Sequence, residues 1–151
     1  MMIEDKIIDL WDQIREGTIE TINKFTDQDL AFNAFEGGYS VGEIIHHIAQ
    51  EEFGEIQYGL TYKLDNFPSH FGDEEYKTID SLQELLSNTH DETLDYLRSL
   101  TDSELKDEFE AQWGERKPLV DFVIHVIEHE IHHRGELSLI LGLLGREGFD
   151  A

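Results

Sequence analysis

Apolar residues recur three and four positions apart along most of this chain, the spacing that gathers them on one face of an α-helix. From about Ile3 to Lys24, Ile7, Leu10, Trp11, Ile14 and Ile22 fall on or near one such face, until Phe25-Thr26-Asp27-Gln28-Asp29 interrupts the pattern. A second helix begins after Ser40, whose spacing to Glu43 makes a capping box. It runs through Ile44, Ile45, Ile48, Phe53 and Ile56 to about Tyr62. Residues 64–77, with Pro68, Gly72 and several charges, read as a long loop. A third helix spans about Ile79 to Leu100, with Ser81 and Glu84 as a second capping box and Leu82, Leu85, Leu86, Leu94 and Leu97 on its buried side. Residues 101–117 are polar and broken at Gly114. A fourth helix opens at Pro118, a residue suited to a first helical position, and closes at Gly145 as a C-cap. Four amphipathic helices without clear strands predict an all-α fold, one four-helix-bundle domain over residues 1–151, with up-down order the simplest arrangement.

Charge and composition narrow the function classes. The net charge of −23 repels phosphate backbones and anionic lipid surfaces alike, so neither a nucleic-acid nor a membrane partner is expected. There is no cysteine, which removes disulfides, thiolate ligands and a cysteine nucleophile together. The start of the chain lacks the basic flank and long apolar region of a signal peptide, and cytoplasmic residence is the expectation.

Histidine is where the sequence departs from the ordinary. Four of the chain's eight fall in the nine positions 125–133, against about 0.5 expected from composition. Metal ligation and proton transfer both favour such crowding. On the fourth helix, Leu119, Val123, Val126, Leu137, Leu141 and Leu144 define the apolar stripe. At about 100° per residue, His133 falls on the margin of that stripe and His129 one turn away on the same side, whereas His125 and His132 project towards solvent. Glu130 and Arg134 lie near the middle of the stripe, four residues apart; a simple intrahelical ion pair or a polar pocket beside a metal accounts for them. On the second helix His47 sits at the edge of the apolar face and His46 points away. Glu51 follows His47 by one turn as a supporting acceptor, and Glu52 falls close to the centre of the apolar face. His70 and His90 read as surface residues.

His129-Glu130-Ile131-His132-His133 also fits the H-E-x-x-H pattern of zinc peptidases, with Glu130 as general base. That pattern is short, however, and no further histidine follows His133 as a third ligand.

The same residues carry a fuller match. Ser40-Val41-Gly42-Glu43-Ile44-Ile45-His46-His47-Ile48, followed far downstream by His129-Glu130-Ile131-His132-His133-Arg134-Gly135-Glu136-Leu137, resembles the DinB/YfiT-like superfamily over nearly the whole chain. The resemblance implies an up-down-down-up order of the four helices in place of the simple one. It also implies a divalent metal, usually zinc or nickel, held by His47, His129 and His133, and a homodimer. Characterised relatives use low-molecular-weight thiols as thiol S-transferases or thiol-dependent isomerases. Glu136 departs from the Gln that many relatives carry after Arg-Gly.

The expected function is accordingly a metal-dependent transferase joining a small thiol to a small electrophile. In it Arg134 would hold a substrate carboxylate, and Glu130, Glu51 or Glu52 would accept a proton. Metal-dependent hydrolysis, and a non-catalytic dimeric metal-binding or stress protein, are the alternatives.

Overall fold

In the computed structural model, which describes residues 2–68 and 77–150, helices dominate as the periodicity predicts. The first, α1 (Ile3–Ile22), turns Ile7, Trp11, Ile14 and Ile22 inward. Its first backbone N–H groups donate to Asp102 from a distant part of the chain. It stops short of Lys24, because the N–H groups of Lys24 and Phe25 bond only three residues back and tighten the last turn. After a 3-10 turn at Asp27–Ala31, α2 (Val41–Gly54) starts at the Ser40–Glu43 capping box. It then widens into a π-helical segment, Glu55–Leu60, where the periodicity gave no sign of a change. Gly59 in that segment lies under the Trp113 ring, 2.2 Å from where a Cβ would sit, so a side chain there would displace the indole.

The third helix, α3 (Ile79–Arg98), is capped one turn earlier than predicted, by Thr78 with Ser81 rather than by Ser81 with Glu84. Residues 101–117 are more ordered than their polarity implied. They form a short helix, α4 (Asp102–Lys106), and a hairpin of β1 (Glu108–Glu110) with β2 (Arg116–Pro118), antiparallel with Phe109 opposite Lys117. Strands of three residues are too short to show an alternating pattern. Phe109 and Trp113 of this hairpin meet Phe122 edge-on and fasten it to the last helix. That helix, α5 (Leu119–Leu143), follows Pro118, which precedes the first helical residue instead of occupying it. Gly145 closes α5 with φ +78, and Arg146 N–H reaches Leu141 O in a Schellman turn. No helix among the described residues is long and apolar enough to cross a membrane.

Contacts along the helices give their directions. Trp11 meets Glu130 and Lys24 meets Gly148, so α1 and α5 run the same way. Ile79 at the start of α3 bonds to Asp27 beyond the end of α1, and Trp11 packs on His90, so α3 runs against α1. Ile44 shares a cavity with Ile140, whereas Gly59 meets Trp113 ahead of α5, which sets α2 against α5.

The buried interior divides into two apolar clusters. One gathers Trp11, Ile56, Leu97 and Phe122; the other gathers Ile22, Ile45, Leu86 and Leu137. Every long helix contributes to a shared polar layer: Arg15 and Thr18 from α1, Glu52 from α2, His90 from α3 and Glu130 from α5. His90 is thus no surface residue; it is 6% exposed, with Nδ1 2.8 Å from Glu52 and Nε2 3.1 Å from Asp12. His46 is buried as well, because the turn at Asp27–Ala31 covers the side of α2 that the helical stripe left open. His70 lies outside the described residues.

Candidate metal centre

The capping box at Ser40 fixes where α2 begins and brings His47 round to face α5 in its second turn. On α5, His129 and His133 are one turn apart and project to the same side. The three rings converge: His129 Nε2 is 3.0 Å from His47 Nε2 and 3.0 Å from His133 Nε2. All three rings meet edge to face. Metal–nitrogen bonds of about 2.0–2.1 Å at tetrahedral angles place neighbouring ligand nitrogens about 3.3 Å apart. The observed spacing fits a single ion with slight expansion. Among the described residues no fourth histidine or carboxylate joins this group of ligand atoms.

Electrostatics point the same way. Burial, together with the neighbouring His133 and His47 rings, pushes His129 down to about 3, so it stays neutral at ordinary pH. A neutral imidazole is the form that ligates a metal. Supporting contacts come from both sides. Tyr39, just ahead of the Ser40 cap, stacks on His47 at 5.9 Å between ring centres, and Glu136 lies 3.2 Å from His133 Nδ1. Glu51 stands 4.0 Å from His47 Nδ1, beyond direct hydrogen-bond length. His125 and His132 are exposed, as their positions on α5 predicted.

Two residues expected at the site have other partners. Glu130 makes no ion pair along its own helix. Its oxygens accept from Trp11 Nε1, from Arg15 Nε and Nη2, and from the Thr18 hydroxyl, all at 2.8–2.9 Å. That leaves the H-E-x-x-H reading without its base. Arg134 turns towards α1, with its guanidinium 4.4 Å above the Phe149 ring and Nη1 3.5 Å from Ile14 O. The counter-ion for Glu130 is Arg15, which the sequence reading missed. Arg15 follows Trp11 by four residues and so lies on the buried face of α1, a signal that was there to be used. Burial works against the Arg15 charge, yet Glu52 and Glu130 outweigh it and raise its pKa further. Burial likewise opposes ionisation of Glu52, and Arg15 with His90 overrides it, holding that carboxyl below its ordinary range.

Comparison with known proteins now decides the family. A sequence description of the DinB superfamily matches residues 7–137. The chain belongs to the DinB superfamily. It is 26% identical over 130 residues to the uncharacterized protein YizA of Bacillus subtilis, covering 84% of this chain and 79% of that one. The crystal structure of a DinB-like protein from Bacillus cereus superposes with a TM-score of 0.76 at 18% identity, over 99% of this chain and 97% of the other. YfiT from Bacillus subtilis superposes with a TM-score of 0.64 at 24% identity, over 92% and 87%. It is described as a probable metal-dependent hydrolase with an unusual four-helix bundle topology. At these identities the superpositions speak for the four-helix-bundle fold.

Proposed function

We propose that this DinB-superfamily protein is a metal-dependent transferase, in which His47, His129 and His133 hold one zinc or nickel ion and a low-molecular-weight thiol attacks a small electrophile. The observation that carries this reading is the convergence of three Nε2 atoms with no fourth protein ligand among the described residues, the arrangement of a catalytic rather than a closed structural site. A divalent ion there would lower the pKa of a bound thiol or water and so supply a nucleophile near neutral pH. The chain's own part is to present three neutral nitrogens and to take up the proton. Glu52 and Glu130 are occupied by Arg15, so we assign proton acceptance to Glu51, the carboxylate beside His47. The carboxylate clamp expected of Arg134 gives way to a packing role against Phe149 and α1, and an Arg134→Ala variant should keep its substrate affinity.

Hydrolysis is the second reading, favoured by the description of the structural neighbour YfiT. One experiment separates the two. Untagged protein is loaded with zinc or nickel, then assayed with electrophiles in the presence of small thiols and with esters and amides in their absence. Turnover that requires thiol sustains the proposal; thiol-independent cleavage transfers the site to hydrolysis. Failure to bind either ion, or retention of it after His47→Ala and His129→Ala, removes both. The homodimer implied by the resemblance is part of the same reading, and light scattering of the loaded protein tests it.

A further inference from the structure

Glu136 turns its carboxylate towards two neighbours on α5. Oε2 is 3.2 Å from His133 Nδ1 and Oε1 is 3.0 Å from His132 Nε2. An ionised carboxylate accepts hydrogen bonds and has none to give, so the contact with His133 needs the ring proton on Nδ1. A neutral imidazole carries one ring proton. With it on Nδ1, the lone pair of His133 lies on Nε2, the atom 3.0 Å from His129 Nε2.

We infer that Glu136 is a positioning residue for the metal centre: it holds His133 in the tautomer whose Nε2 faces the other two ligands and strengthens that nitrogen as a donor. The inference rests on the reading that the three histidines hold a metal ion. Carboxylates bonded to the outer nitrogen of a ligating histidine fix the ring's rotation and raise its basicity. The other oxygen, Oε1, lies 3.0 Å from Nε2 of the exposed His132 one turn before. Glutamine at this position would keep an acceptor oxygen for Nδ1–H but lose the negative charge. The consequence is graded: Glu136→Gln preserves the tautomer and gives up donor strength, whereas Glu136→Ala loses both.

The test is a competition titration of Zn²⁺ and Ni²⁺ against a chromophoric chelator, using native protein, Glu136→Gln and Glu136→Ala. It is paired with ¹⁵N-detected NMR of the histidine rings in the metal-free proteins. Glu136→Ala should weaken metal binding roughly 10- to 100-fold, with a smaller loss for Glu136→Gln and no change in the melting temperature of metal-free protein. The His133 Nδ1–H form should dominate in native protein and Glu136→Gln and be lost in Glu136→Ala. Equal affinity in native protein and Glu136→Ala would overturn the inference. So would a second ion per chain that vanishes in Glu136→Ala, since Glu136 would then be a ligand itself. If native protein binds neither ion, the metal reading falls by itself. The ring spectra still decide the contact: a native His133 with mixed tautomers overturns it, and an Nδ1–H form that depends on Glu136 upholds it.

Discussion

Between the four long helices the Arg15 guanidinium meets the carboxylates of Glu52 and Glu130, with the His90 ring beside Glu52; on the facing sides of α2 and α5 the three imidazoles of His47, His129 and His133 meet one another. Both clusters are polar and both draw on α2 and α5, yet the fold treats them in opposite ways. In the inner layer each carboxylate faces a cationic partner and hydrogen bonds engage nearly every polar atom of the group: Arg15 serves both glutamates and the Leu86 carbonyl, and both ring nitrogens of His90 face carboxylates. In the outer cluster the ring nitrogens turn towards one another at 3.0 Å, and burial with like neighbours keeps His129 uncharged. One cluster is closed by its own ion pairs, and the other gathers three ring nitrogens that could hold a metal ion.

The widest gap between the two should appear on removing a member of each. Arg15→Met leaves two buried carboxylates without their cation, and urea unfolding should show a loss of about 3–5 kcal/mol. A loss under about 1 kcal/mol would mean that the inner layer is not the closed unit described. Zinc supplied at 100 times its dissociation constant should stabilise native protein by about 2.7 kcal/mol. It should leave His129→Ala unmoved, and that variant should be no less stable than native protein when both are metal-free. A destabilised metal-free His129→Ala would show the histidine cluster supporting the fold, which would erase the contrast.

A third prediction concerns Glu55, the first residue of the π-helical segment that continues α2, about two turns beyond His47. Burial first, and then the Glu51 carboxylate, push it up to about 7, and one of its oxygens is shielded with no hydrogen-bond partner among the described residues. Between the ordinary value of 4.5 and about 7 the folded chain keeps a proton that the unfolded chain has released. Stability therefore falls as pH rises through that window, and the penalty is complete above it. Glu55→Gln should be more stable than native protein by about 1 kcal/mol at pH 8, after allowance for its partial exposure, and equal to it near pH 4. Melting curves at the two pH values check this. The smallest effect belongs to an exposed pair far from both clusters, Arg98 with Asp95 at 3.9 Å. Arg98→Ala should change stability by no more than about 0.5 kcal/mol, which calibrates the others.

What could be read from the sequence follows from how long each pattern runs. Helices of 14 to 25 residues repeat their apolar spacing several times, so all four long helices were legible. His129 and His133 declared themselves by sharing one helix face. The hairpin and the short α4 offered too few residues for any period to appear. His90 is the instructive miss. It continues the run Leu82, Leu86, His90, Leu94, every member four apart, and its polarity alone suggested the surface. Glu130 was legible as a charge on a buried face, whereas Arg15, four residues after Trp11, was missed. Their pairing was not legible, because it joins residues 115 positions apart.

Arg15 touches Glu52 on α2 and Glu130 on α5 at once, within one turn of His129 and about a turn and a half of His47. Sliding α2 along α5 by a single turn, about 5.4 Å, would carry Glu52 out of reach of the guanidinium. The same slide would carry His47 away from His129. The guanidinium therefore acts as a detent between two rails, and the placing of His47 against His129 and His133 is gauged by a residue bonded to none of them.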